Sequence, residues 1–195
     1  IPRDIRETII QPLHYSDSVL TTLLKDSQAA PGLKASLSQK GLERALKYEK
    51  TMSTEARAFA HLALAEKLYD KSQFQAARTV ALASNDKTLS RDQLRYIAAI
   101  SLLALKDSKE NQETAGRELT DIFRTVEDPK LFDAVATSLG RIHFILGNYK
   151  AAHQYLTQVS RDTNVYIEAA VDNAWALLRS GDRNHAVGNM FTLHT

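Results

Sequence analysis

The side chains best suited to chemistry in this sequence are its six histidines: His14, His61, His143, His153, His185 and His194. No two of them stand in an HExxH arrangement, which a zinc-dependent hydrolase would use to put two ligands on one helix face. His143 shares a helical stripe with Leu139, Ile142 and Leu146, so it reads as a hydrogen-bonded histidine in or near the core. His153 and His185 sit beside alanines and read as near-surface residues. Cysteine is absent, which excludes disulfides, thiol catalysis and cysteine-based zinc sites. Among the acids, Glu66 and Asp70 are one helical turn apart and share a face, but no second carboxylate pair stands with them. They read as a solvated surface. GxSxG, P-loop and GxGxxG patterns are all missing. The expectation is a chain that is not an enzyme and has no metal site and no cofactor.

What remains is recognition chemistry. The basic residues Arg91, Arg95, Lys130, Arg141, Lys150, Arg161, Arg179 and Arg183 are spread out, with acids between them. With 25 basic against 23 acidic residues the net charge is +2, too balanced for a nucleic-acid track or an anionic-membrane surface. A single tryptophan, Trp175, lies between two alanines and reads equally as a buried inter-helix residue or as a ligand contact.

These groups need elements to hold them. Hydrophobic residues make up 44% of the chain and charged residues 25%, the balance of a globular protein with a core. Only 7 glycines and 4 prolines interrupt it, which favours long helices. Segment 3–10 is expected to be a short helix ended by Pro12, and Val19, Leu20, Leu23 and Leu24 mark one face of the next. Pro31-Gly32 breaks the chain before a helix over 33–50. Ser53 or Thr54 caps a helix whose stripe is Phe59, Leu62, Ala65, Leu68 and Tyr69, and Ser72-Gln73 turns it. Ser90 and Gln93 form a capping box. Ala115, Leu119 and Ile122 share one face of a later helix. Asp128-Pro129 is a strong start signal, with aspartate as cap and proline at the first helical position. No apolar run approaches the roughly 18 residues of a membrane span, and no signal-peptide pattern is visible. Because the sequence opens on Ile1-Pro2 and stops at Thr195 within helical periodicity, it is expected to be a piece of a longer protein.

The strongest regularity lies between Leu139 and Leu193. Moved by thirty-four positions, Gly140 falls on Ala174, Gly147 on Gly181, Asn148 on Asp182, Ala152 on Ala186 and Leu156 on Met190. Small residues recur where helices would touch, and a glycine-polar pair recurs where the chain would turn. Upstream, Phe74, Ala77, Val80 and Ala81 repeat the spacing of Tyr149, Ala152, Tyr155 and Leu156. This period and pattern resemble the tetratricopeptide (TPR) repeat, a helix-turn-helix unit that stacks on its neighbours. The large aromatic common early in that repeat is replaced by His61, Arg95, Ala136 and Ala170, which leaves related superhelical helix-pair families open.

The resemblance implies an all-α fold: a right-handed superhelical array of antiparallel helix pairs, a TPR-like α-solenoid of about ten helices. Residues 1–53 would form an N-terminal helical cap or degenerate repeat, and 54–195 the array, truncated at its C-terminus. It also implies a concave groove, lined by the first helix of each pair, that binds a protein or peptide. Carried over, the groove would comprise Leu62, Glu66 and Tyr69, then Tyr96, Ile100 and Leu103. Thr137, Arg141, Phe144 and Ile145 follow, and Val171, Trp175, Leu178 and Arg179 complete it. Aromatics and arginines are enriched at interface hot spots, and Arg141 with Arg179 could hold a carboxylate. The function implied is a non-catalytic interaction scaffold. A second reading is the helical arm of a larger enzyme, such as a cell-wall lytic enzyme. A third is self-assembly through an open repeat end. The closing phrase AWALLRSGDRNHAVGNM also looks like TPR regions of bacterial cell-envelope proteins, which tips the compartment toward the envelope or periplasm.

Overall fold

Short side chains decide how the first helices pack. In the computed structural model, which describes residues 38–84, 91–105 and 108–191, helix α2 (Thr54–Asp70) is buried on nearly every side. Ala56, Ala58, Ala60, Ala63 and Ala65 are each no more than 1% exposed. Alanine lets neighbouring helices approach closely from several directions. On one side α2 meets Leu42 and Ala45 of α1 (Gln39–Leu46), and it also packs on Ala77 of α3 (Phe74–Ala83). Leu62 and Ala65 pack with Ala81 and with Leu94, Ile97 and Ala98 of α4 (Arg91–Leu105). The stripe read from the sequence is therefore one part of a helix buried all round. The expected helices at 3–10 and 19–24, the Pro31-Gly32 turn and the Ser90 cap lie outside the described residues.

Among the described residues there are nine α-helices, one 3-10 turn (Glu49–Thr51) and no strand. The helix expected over 33–50 is described as the shorter α1 followed by that turn. The chain divides into two compact units, Ile1–Ser101 and Leu102–Thr195. Caps follow local chemistry. Ser38, Ser53 and Ser108 each accept a bond from the backbone N–H three residues on. Asp128 accepts from the N–H groups of Lys130 and Leu131 at 2.8 and 3.2 Å, and Pro129 opens the helix.

In the first unit, the buried His61 has Nδ1 3.1 Å from the Val80 carbonyl oxygen and Nε2 3.2 Å from a carboxylate oxygen of Glu49. Both partners are acceptors. The imidazole thus ties α2 to α3 and to the 3-10 turn.

The second unit continues with α5 (Lys109–Phe123), α6 (Pro129–Ile145), α7 (Tyr149–Leu156), α8 (Tyr166–Ser180) and α9 (Arg183–Phe191). Ala115, Leu119 and Ile122 of α5 are fully buried, on the face that the sequence marks. Helices α6 and α7 form an antiparallel hairpin: Phe144 packs on Tyr149, Gly140 on Leu156, and Asp133 accepts from the backbone N–H of Ser160 at 3.0 Å. Helix α8 packs on both α6 and α7, and α9 packs on α8.

Three helix pairs turn in the same way. Gly147 and Gly181 have φ of 79° and 93°, and Ser72 has φ of 59°. At each, the N–H of the left-handed residue and that of its successor close back onto the last turn. The successors bond at 2.8 Å (Gln73 to Leu68), 2.8 Å (Asn148 to His143) and 2.9 Å (Asp182 to Leu177). This is the Schellman closure. Glycine takes the left-handed conformation freely, whereas serine's Cβ crowds the following carbonyl. Ser72→Gly is therefore expected to stabilise the first unit by about 0.5–1 kcal/mol in urea denaturation. Destabilisation would contradict the assigned turn.

Candidate functional site

Position 141 is the first point where the two helix pairs of the second unit meet through charge. Arg141 leaves α6 and reaches α8, where its Nε donates to Asp172 at 2.6 Å and its Nη2 to Glu168 at 2.9 Å. Burial works against the charge of the guanidinium. The bonds to Glu168 and Asp172, with their negative charges, outweigh that and hold its pKa above the usual range. Arg141 also forms one wall of an open cleft of about 450 Å³ between α6 and α8, with Phe144, Ile145, Asp172 and Trp175. The cleft surface is mostly apolar. Ile145 is 63% exposed and Trp175 50%, unusual for side chains of this size unless something covers them.

Arg179, one turn beyond Trp175, is drawn to α7. Its guanidinium lies 5.6 Å from the Tyr149 ring centroid, with nitrogens 3.3 and 3.4 Å from the Tyr149 hydroxyl. Tyr149 in turn meets Phe144 edge to face. The two arginines are thus spoken for by this chain's own side chains. A ligand carboxylate, which the sequence reading allowed Arg141 and Arg179 to hold, would have to compete with these partners: Arg141 already holds two carboxylates, and Arg179 sits on a tyrosine.

The other expected groove residues divide by burial. Arg141, Phe144, Ile145 and Trp175 come together in the cleft. Val171 is partly buried, and Leu178 is 43% exposed. Two residues expected in the groove are interior. Leu62 is 3% exposed and packs with Ala65 and Leu94, because α2 is enclosed on that side by α4. Thr137 is 4% exposed and spends its hydroxyl on the Asp133 carbonyl at 2.8 Å. In the first unit Glu66, Tyr69, Tyr96 and Ile100 are partly buried, and burial, then Tyr96 and Asp70, push the Tyr69 hydroxyl pKa up. Leu103, in the second unit, is partly buried.

Sequence reasoning missed Glu168 and Asp172. They lie two and one helical turns before Trp175, the residue that takes the place of Arg141 in the next pair. A stacked helix presents that earlier turn to its neighbour, so an acid there was the available signal.

A second, more polar cleft of about 480 Å³ lies between α5 and α6, bordered by Gly116, Thr120, Ile142 and His143. His143 stacks on Tyr155 with ring centroids 5.3 Å apart, and its Nδ1 is buried with no hydrogen-bond partner. The expected hydrogen bond is therefore absent at that nitrogen. Burial lowers the His143 pKa below its ordinary 6.5. The unfolded chain then binds more protons than the folded one once the pH falls through 6.5, so stability drops on the acid side and is unaffected well above that value. The second unit should show a lower urea midpoint at about pH 5 than at about pH 7.5, and His143→Phe should reduce the difference. An unchanged difference in that variant would assign the acid sensitivity elsewhere. Asp182, whose pKa His185 lowers by hydrogen bonding, acts in another window, as the pH falls through and below 3.8.

Among the described residues no group of three or more His, Asp or Glu side chains is placed to hold a metal ion. No described helix is long and apolar enough to cross a membrane. Against family models, curated proteins and solved structures, the chain finds no match.

Proposed function

We propose that this chain is a non-catalytic interaction scaffold of the TPR type, and that a protein or peptide binds in the cleft between α6 and α8. The observation that carries the reading is an apolar floor left open to solvent: Phe144, Ile145 and the half-exposed Trp175 stand together on two stacked helices. Fixed aromatic and aliphatic anchors beside a charged rim are the usual makings of a binding hot spot. The ionisable groups that line the cleft, Arg141 and Asp172, are held in an ion pair at 2.6 Å, which suits recognition better than proton transfer. The repeated turn at Ser72, Gly147 and Gly181, and the packing of α8 on both helices of the preceding pair, support the repeat assignment.

The test is an affinity capture from the source lysate with wild type and with a folded Phe144→Ala, Trp175→Ala variant. A protein retained by the first and lost by the second supports the reading. Retention of the same proteins on both would move binding away from the cleft.

Self-assembly is a second reading with its own observation. Ile167, Val187 and Met190 of the last helix pair are 67%, 56% and 44% exposed. Light scattering over a concentration series tests it, and a monomer throughout would remove it.

A further inference from the structure

We infer that the α6–α8 cleft selects a segment of peptide in which an apolar side chain stands next to an arginine or lysine. The inference rests on the scaffold reading and gives the chemistry of its ligand. Size and lining set the apolar half: the cleft of about 450 Å³ is floored by Phe144, Ile145 and Trp175, so an aliphatic or aromatic side chain gains by burial there.

Charge sets the other half. One guanidinium, Arg141, meets two carboxylates, Asp172 and Glu168, so the cluster carries one negative charge in excess. The Glu168 side chain is 67% exposed, and only its Oε2 takes the bond to Arg141. Each carboxylate has a second oxygen with lone pairs of its own. A ligand carboxylate would have to compete with both acids for Arg141. A ligand cation meets the excess negative charge directly and can lie over the exposed indole of Trp175, an attraction available to arginine and lysine. Arg179, the other cation of this helix turn, does not cancel the excess in the cleft, because it is held over Tyr149.

Trp175 is the sole tryptophan, so its emission reports occupancy of the cleft without a label. The test uses the full chain and three blocked hexapeptides on a Gly-Ser frame that differ at one position: Leu-Arg, Leu-Gln and Leu-Glu. The Leu-Arg peptide should shift Trp175 emission saturably and bind about tenfold more tightly than the Leu-Glu peptide, with a preference that shrinks as salt is added. Glu168→Lys should cut the binding of the Leu-Arg peptide about tenfold and erase the preference, while Glu110→Lys on the exposed surface of α5 should leave both unchanged. Circular dichroism confirms that the variants are folded. Equal or tighter binding of the Leu-Glu peptide at the cleft would overturn the inference and leave the scaffold reading standing. No emission change with any of the three would overturn the inference and also remove the cleft from the scaffold reading. A Leu-Arg preference that survives Glu168→Lys would overturn it too, since the excess charge would not be its source.

Discussion

Gly140→Val is expected to destabilise the second unit by about 3 kcal/mol, the upper part of the range for overpacking a core. Helix α6 crosses α7 at this residue with no room for a side chain. A Cβ on Gly140 would fall against the Leu156 side chain, 2.6 Å from its Cδ2 and closer still to its Cγ. Leu156 is 3% exposed and packs with Ala152 and Val159, so it cannot swing aside without displacing them. Helix propensity acts the other way, since almost any residue is a better helix former than glycine, but that gain is smaller than the clash. Leu156→Ala opens the space and by itself should cost about 2–5 kcal/mol. Because both changes act on one contact, the double variant Gly140→Val, Leu156→Ala should be more stable than the sum of the two losses predicts. Urea titration followed by Trp175 emission reads this out. Simple additivity would mean that the two residues do not share the contact.

The largest expected loss in the first unit comes from Phe59→Ala, about 3–5 kcal/mol. Phe59 is 1% exposed and is the largest fully buried side chain among the described residues. Its surroundings include Ala56, Ala60 and Ala63 on its own helix, which are short and fixed to the backbone and cannot close over the void. Leu42 and Leu68 can relax only partly toward it. Urea denaturation followed by far-ultraviolet circular dichroism measures the change. A loss under about 1 kcal/mol would contradict the placement of Phe59 at the centre of α1, α2 and α3.

Local chemistry explains which parts of this fold can be read from the sequence. Asp128-Pro129 starts α6 because aspartate accepts from free N–H groups and proline lacks the one it would waste. Gly147 and Gly181 end their helices because the closure needs a left-handed residue, and the thirty-four-residue spacing repeats that need. Burial on several sides is a different matter. The periodicity of α2 marks one stripe, yet Ala58, His61 and Leu64 are also buried, because the neighbours of α2 are chosen by the packing of other helices. Leu62 and Thr137 failed as groove residues for the same reason. Each lies on a helix face that tertiary packing encloses, and a step of one residue turns a side chain by about 100° from open surface to core.

The cleft was half legible. Phe144, Ile145, Arg141 and Trp175 follow from placing the first helices of successive pairs side by side. The carboxylates that occupy Arg141 do not, because Glu168 and Asp172 meet it only through the offset between stacked helices. Their presence reverses the charge of the ligand proposed for the site.

The most direct test of the central claim, that the α6–α8 cleft is a binding surface, is site-specific photo-crosslinking. A photoreactive phenylalanine derivative would replace Ile145 or Trp175 in turn, with controls at the exposed residues Glu110 and Glu127. Mass spectrometry of the products would follow irradiation in the source cells. The account predicts one protein or peptide crosslinked from both cleft positions and from neither control. Crosslinks confined to the controls, or different products from the two cleft positions, would contradict it.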